Sequence, residues 1–260
     1  MKRAPRIAVV IPAYQEAATI ADVALRARRQ ADMVIVVDDG SRDGTAEALA
    51  GIDVVAIRHA ANLGKGASLA DGIAQALDRG AEAVITLDAD GQHEPEEIPR
   101  LVRAWQAAAD DVIVGARLRH AERAPRLRKA ANRLADFWIG WAAGQAIDDS
   151  QSGFRLYPAA LLRRVSVRSG RGRGFVYESE LLIECSRAGA SIRSVAIDSI
   201  YRADARASHF RPVADVFAIT RMIAGNLLSR GMYPVGLYRL LSARRRLARA
   251  EDRDAARADR

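Results

Sequence analysis

The 260-residue sequence has one cysteine, Cys185, so it can form no internal disulfide. That usage suits a reducing compartment, and the protein is expected in the cytoplasm. No long apolar run is present. A membrane-spanning helix needs roughly 18 or more apolar residues, and the nearest approach, FWIGWAAGQAI at 137–147, is shorter and carries Gln145. The N-terminal MKRAPRIAVVIPAY lacks the form of a signal peptide and reads as a first strand, broken at Pro12. Aromatic residues make up only 5% and do not interleave with the basic runs, so a nucleic-acid partner is not expected. The four histidines, His59, His93, His120 and His209, show no metal-ligand spacing. HEPEE at 93–97 has Glu97 where a zinc protease needs its second histidine. His93 is therefore expected at the surface or behind the site rather than in it. NLGKGAS at 62–68 has Gly66 where a P-loop needs Ser or Thr, and His59 stands where its first glycine belongs. Pro12-Ala-Tyr-Gln follows the first apolar run where a dinucleotide-binding fold would place a glycine fingerprint.

Positive charge is abundant. The net charge is +8, and 28% of residues are charged, a soluble globular composition. Residues 117–133 hold seven Lys/Arg against Glu122 alone, and 155–173 hold six Arg and no acid. Runs of this kind are either a solvated surface or a face for an anionic partner: phosphates, nucleic acid or a membrane surface. Apolar runs at 7–11, 33–37, 54–57, 83–87 and 111–115 read as strands, with helical patterns near 17–30, 43–50, 67–78 and 95–108. This alternation predicts an α/β fold with a mostly parallel sheet covered on both faces. Further helices are expected at 125–146, at 174–189 after a loop-like start, and at 212–228, with a strand at 191–201. Residues 148–158 read as a loop, and the tail beyond 242 as a fraying or solvated helix.

The carboxylates carry the chemistry. In VITLDADGQHEPEEI (84–98), Asp88 and Asp90 close a buried strand one residue apart. Such close like charges repel unless a cation lies between them. Two carboxylates and the amide oxygen of Gln92 make a hard oxygen site, suited to Mg2+ or Mn2+ with positions left for phosphate oxygens. In VVDDGSRDGT (36–45), Asp38 and Asp39 end the second strand and Gly40 permits a tight turn. A carboxylate there can accept from a base N–H or a ribose hydroxyl, while Ser41 to Asp43 read as a helix N-cap.

IPAYQEA (11–17), VDDGSRDGT (37–45), NLGKGAS (62–68), LDADGQHEPEEI (87–98) and SGFRLYP (152–158) together resemble family 2 glycosyltransferases, and in particular the branch of dolichyl-phosphate mannose synthases and polyprenyl-phosphate sugar transferases. The resemblance implies the GT-A fold and inverting transfer of a sugar from a UDP- or GDP-sugar. It implies that Pro12, Tyr14, Glu16, Asp39, Lys65, Gly66, Asp88, Ala89 and Asp90 bind the nucleotide-sugar, with Asp39 at the base or ribose. Asp88, Asp90 and Gln92 would hold the metal and diphosphate. Gln15 stands where the family often has Asn. Ser152, Gly153 and Arg155 resemble the loop beneath the acceptor, and Arg117 a basic residue near the acceptor phosphate. Lys129 stands where that branch commonly has Arg.

The acceptor decides which residues are catalytic. A polyprenyl phosphate is already ionised near pH 7 and needs cations to hold it in line, with Arg117, Lys129 and Arg155 as candidates and Arg202 a weaker one. A hydroxyl of a glycan or glycolipid needs a carboxylate base, for which Asp149, Glu178 and Glu180 are candidates. Many bacterial relatives of this branch append hydrophobic spans, which this sequence lacks, whereas its 208–241 segment and ARRR are apolar and basic. Peripheral contact with the cytoplasmic membrane face is expected. One glycosyltransferase domain is expected over 1–230, with a nucleotide-sugar half at 1–115, an acceptor half at 116–230, and a basic tail at 231–260. The rival from another class is a non-catalytic basic binding module that keeps a glycosyltransferase-like shell.

Overall fold

A computed structural model describes residues 4–117, 126–169, 174–198 and 212–258. The first five strands are β1 (Ile7–Ala13), β2 (Met33–Asp38), β3 (Val55–Arg58), β4 (Ala83–Thr86) and β5 (Val112–Ala116). Helices α1 (Ile20–Arg28), α2 (Lys65–Asp78) and α3 (Ile98–Ala107) alternate with them. Then come α4 (Arg126–Ala143), β6 (Arg155–Pro158), the short α5 (Ala159–Leu162), α6 (Gly174–Arg187), β7 (Ile192–Ala196), α7 (Pro212–Leu228) and α8 (Pro234–Ala258). The helix expected at 43–50 is only a 3-10 turn at Glu47–Leu49. There Asp43 is not a helix cap: its carboxylate accepts from the backbone N–H groups of Ala17 and Thr45 and from the Thr45 hydroxyl.

The strands form one seven-stranded sheet in the order β3-β2-β1-β4-β6-β5-β7. All pairings are parallel except those of β6, which runs antiparallel between β4 and β5. This strand corrects the reading of 148–158 as loop. Its four residues, Arg-Leu-Tyr-Pro, are too short a run to show strand periodicity, and an arginine opens it. Every residue of β1, β2, β4, β5 and β6 is buried, as strands covered on both faces require.

Alternate residues feed two cores. Ala8 and Val10 of β1 face the layer of α2, α4, α6 and α7, while Ile7, Val9 and Ile11 face α1 and α3. Helix α2 lies so close on β1 that a Cβ at Gly72 would come 2.4 Å from Val10 Cγ1. The tail beyond 242 continues α8, with Arg244, Arg245 and Arg246 exposed, while ahead of it Leu240 is fully buried against Gly140 of α4. No helix among the described residues is long and apolar enough to cross a membrane.

Candidate active site

The carboxyl ends of β1, β2 and β4 open on one edge of the sheet, where ligands of open α/β sheets gather. Because β6 runs antiparallel, its N-terminal approach, residues 149–153, arrives at the same edge. Thr86 Oγ1 donates to the Gly153 carbonyl at 2.7 Å and fixes that approach. A Cβ at Gly153 would lie 2.5 Å from Asp88 Oδ2, so only glycine lets the backbone pass the carboxylate.

The loop after β1 is tied to the loop after β2. The backbone N–H groups of Gln15 and Glu16 donate to Ser41 Oγ and Thr45 Oγ1, each at 2.9 Å. Gly40 has φ +73, and a Cβ there would meet the Ala61 backbone at 2.7 Å. Asp39 is buried and accepts from the N–H groups of Leu63 (2.8 Å) and Gly64 (2.7 Å), and pairs with His59 Nδ1 at 2.7 Å. His59 Nε2 reaches Asp71 at 3.0 Å. Asp39 thus holds the 59–64 loop, which delivers Lys65 to the first turn of α2. Contact with a base or ribose would use its remaining lone pairs. Beside it an open pocket of about 370 Å³ is lined by Gly40, Ser41, Arg42, Arg58, His59 and Ala60.

At the centre the cation beside Asp88 is a side chain. Lys65 Nζ lies 2.7 Å from Asp88 Oδ1 and 3.0 Å from Glu178 Oε2. Burial disfavours the Lys65 ammonium, but Asp88 and Glu178 outweigh it and raise its pKa. Burial likewise opposes ionisation of Asp88, yet Lys65 holds its pKa below the usual range. Asp90 goes the other way: burial and the charge of Asp88 raise it. It accepts the Gln92 backbone N–H at 3.0 Å and forms no ion pair among the described residues. Arg117 grips Asp149 in a fork, Nε to Oδ2 at 2.8 Å and Nη2 to Oδ1 at 2.6 Å, with its backbone N–H adding a third bond. Burial opposes ionisation of Asp149, but this fork holds its pKa low. Asp149 adopts φ +54, a conformation that asparagine and aspartate tolerate best.

His93 is buried at 3% exposure, stacks obliquely on Phe154, and leaves Nδ1 without a partner. It is not at the surface. Burial lowers its pKa from 6.5 to about 4. A histidine depressed on folding keeps full stability above pH 6.5 and loses it as pH falls towards 4, because only the unfolded chain takes up the proton. In metal-free buffer, His93→Gln is expected to remove roughly 2–3 kcal/mol of the stability lost between those limits. Urea melts at pH 7 and pH 4.5 check it, and an unchanged pH dependence would refute it.

Residues 8–170 match the family described as glycosyl transferase family 2. The protein belongs to that family. Relatives of this family 2 glycosyltransferase include the polyprenol monophosphomannose synthase of Mycolicibacterium smegmatis, 30% identical over 74% of this chain and 76% of the relative. The UDP-N-acetylglucosamine–dolichyl-phosphate N-acetylglucosaminyltransferase of Methanococcus voltae is 29% identical over 75% and 86%. Glucosyl-3-phosphoglycerate synthase of Mycobacterium tuberculosis, crystallised with Mn2+, UDP and its product, superposes with a TM-score of 0.61 at 25% identity, covering 87% of this chain and 80% of that one. These GT-A neighbours carry the same α/β architecture and are crystallised with Mn2+ or Mg2+.

The chemistry of the donor set fits such an ion. Asp88 and Asp90 offer hard oxygens, and Asp90, disfavoured as an anion by burial and by the charge of Asp88, has no ion-pair partner among the described residues. Among the described residues no group of three or more His, Cys, Asp and Glu converges that could by itself hold a metal ion. Gln92 brings a backbone N–H to Asp90, an arrangement that does not call on its amide oxygen.

Lys65 competes for the same carboxylate. Lys65→Met is expected to tighten Mn2+ binding by about tenfold, one pKa unit's worth of charge interaction, while slowing transfer. Calorimetric titration of Mn2+ without donor reads this, and unchanged or weaker binding would overturn it.

Two candidates are corrected by geometry. Arg155 is 1% exposed and donates to the carbonyls of Ser150 (2.8 Å), Ser152 (2.7 Å) and Glu178 (2.7 Å) and to the Tyr157 hydroxyl (3.2 Å). A guanidinium satisfied on all sides is a brace beneath the site, not a hand for an acceptor phosphate. Glu180 lies two residues past Glu178, which on an α-helix points it to the opposite side. It lines a groove of about 360 Å³ between α6 and α7, with Arg221 and Asn226, away from Lys65. Ser152 donates to the Gly115 carbonyl at 2.6 Å and so joins β6 to β5. Pro12 closes β1, Tyr14 and Glu16 are half-buried beside it, and Gly66 and Ala89 are buried. The Lys129 side chain and Arg202 lie outside the described residues. The bridge Asp88–Lys65–Glu178 was not visible in the sequence. Lys65 is 23 residues from Asp88 and 113 from Glu178, and only Gly64 ahead of a helix-starting lysine hinted at it.

Proposed function

We propose that this glycosyltransferase moves a sugar from a UDP- or GDP-sugar to the phosphate of a polyprenyl phosphate, with inversion at the anomeric carbon. The observation that carries the choice of acceptor is the pairing of its carboxylates. Asp149 is locked by Arg117 and held ionised, and Glu178 is paired with Lys65. Both carboxylates are engaged by a cation, and an ionised phosphate needs no base. The names of the relatives from M. smegmatis and M. voltae agree with such an acceptor.

In this reading Asp88 and Asp90 hold Mg2+ or Mn2+, which supplies charge neutralisation to the leaving diphosphate. The loops 14–17, 39–45 and 59–64 frame the nucleotide, and Arg117 faces the acceptor phosphate. The sugar's C1–O bond to the diphosphate breaks, its electron pair leaves on the nucleoside diphosphate, and an acceptor phosphate oxygen bonds C1 from the opposite face. Lys65 stands where it can follow the charge from Asp88 to the diphosphate. We retain 1–115 as the donor half and 116–230 as the acceptor half.

The test is a panel of UDP- and GDP-sugars with Mn2+ or Mg2+, with and without a short polyprenyl phosphate. Release of UDP or GDP that depends on the lipid phosphate is expected. Arg117→Met should reduce it by about a hundredfold, as loss of a charged positioning group does, and Glu178→Gln by less than about tenfold. Loss of all turnover in Glu178→Gln would point instead to general-base catalysis on a hydroxyl acceptor.

A further inference from the structure

The junction of α7 and α8 exposes large apolar side chains that a packed protein would cover. Leu228 is 68% exposed, Met232 44%, Val235 55% and Tyr238 73%, all within eleven residues. The turn that presents them is strained and pinned. Met232 and Tyr233 adopt φ +62 and +39, rare for residues other than glycine. Tyr233 lies against Gly144 and Gly236, where any Cβ would come within 2.8 and 2.1 Å of its ring or hydroxyl, and Arg230 stacks on it at 3.8 Å. Trp141 Nε1 donates to the Tyr233 carbonyl at 3.2 Å. The tyrosine is thus driven inward and Met232 outward. Backbone strain held by this much packing persists where the surrounding structure fixes it, and is a pointer to function.

Along the chain, the charge of this segment has one sign. Residues 217–246 contain six arginines (221, 230, 239, 244, 245 and 246), all exposed, and no acid. Outward positions of α7 add Phe217, 69% exposed, in line with Arg221 and Leu228.

We propose that the α7–α8 turn is a membrane wedge: Leu228, Met232, Val235 and Tyr238 enter the boundary between headgroups and acyl chains of an anionic leaflet, and the arginines bind lipid phosphates. Apolar tips framed by Arg are the surface that such an interface accepts. A second copy of this chain fits poorly, because a two-fold contact here would face one set of six arginines with another. The proposal deepens the polyprenyl-phosphate reading, since it gives the enzyme access to a lipid-borne acceptor, but its test does not depend on that reading.

The full chain is floated with vesicles of phosphatidylcholine, alone or with about 30% phosphatidylglycerol, containing no polyprenyl phosphate. Binding only to the anionic vesicles is expected, weakened at least about tenfold in the triple variant Leu228→Ser/Met232→Ser/Tyr238→Ser and again in Arg239→Glu/Arg245→Glu. All five positions are exposed, and unchanged melting with unchanged donor hydrolysis confirms that each variant folds. Failure of the wild type to float overturns the wedge, as does equal flotation of wild type and the triple variant. So does a dimer in sedimentation velocity that the triple variant abolishes, which would give the face to a second copy. Transfer to a water-soluble short polyprenyl phosphate in vesicle-free solution separates the two ideas. Turnover without flotation would remove the wedge and leave the proposed function, whereas flotation without turnover would do the reverse.

Discussion

Asp90→Asn is expected to lower sugar transfer by at least about a thousandfold while leaving the metal-free protein as stable as the wild type or slightly more so. The two effects run in opposite directions for one reason. Asp90 is disfavoured as an anion by burial and by Asp88, while Asp88 has Lys65 at 2.7 Å. Replacing Asp90 with a neutral isostere relieves a like-charge repulsion, so about 1 kcal/mol of stability and a rise of a few degrees in Tm are expected in EDTA. The same replacement halves the carboxylate charge offered to a divalent ion, and loss of a charged group that acts on the leaving diphosphate costs several kcal/mol at the transition state. The measurements are Tm in EDTA and in Mn2+, and transfer under saturating donor. Wild type should gain Tm with Mn2+ and the variant should not. A variant that still gains Tm with Mn2+ and retains transfer would remove the metal from Asp90. Asp88→Asn differs: it removes the buried Lys65–Asp88 ion pair, so it should destabilise as well as inactivate.

The first half of the sheet was legible in the sequence because its signals are local. Each of β1 to β5 is a continuous apolar run, and each site loop follows one directly, so Asp39, Asp88 and Asp90 could be placed at strand ends from their positions alone. The rest of the site resisted for the converse reason. Its defining contacts join residues far apart: Arg117 with Asp149, Lys65 with Glu178, Thr86 with Gly153. Strand β6 inserts antiparallel between two strands that precede it, a topology that no periodicity announces. Arg155 sits in a motif that suggests a cation facing substrate, yet in the sheet it is the first residue of a central strand and has no route to solvent. The resident cation at Asp88 was missed in the same way: the repulsion between two aspartates correctly demanded a positive partner, but burial of Lys65 beside Glu178 depends on the docking of α6 over α2.

Arg155→Met should be among the most damaging single changes in the fold. The guanidinium gathers three carbonyls, from Ser150, Ser152 and Glu178, and the Tyr157 hydroxyl. Methionine fills similar volume and avoids a cavity, but it leaves those buried acceptors without donors. Each unsatisfied group costs about 1–3 kcal/mol, so a loss of roughly 3–5 kcal/mol and a fall in Tm near 10 °C are expected. Arg155→Lys should recover little, because an ammonium cannot reach carbonyls on three sides from one rigid plane. The site should fail before the fold does. Arg155 joins the 149–153 loop, which carries Asp149 against Arg117 and Gly153 against Asp88, to the helix that carries Glu178 against Lys65. At temperatures where Arg155→Met is still folded, weaker Mn2+ binding and a lower kcat are expected together, with Arg117→Met affecting kcat alone. If Arg155→Met instead melts near the wild type and keeps its Mn2+ affinity, the buried network is not what holds the two halves of the site together. The alignment of Lys65 with Asp88 would then have to come from α2 and β4 alone.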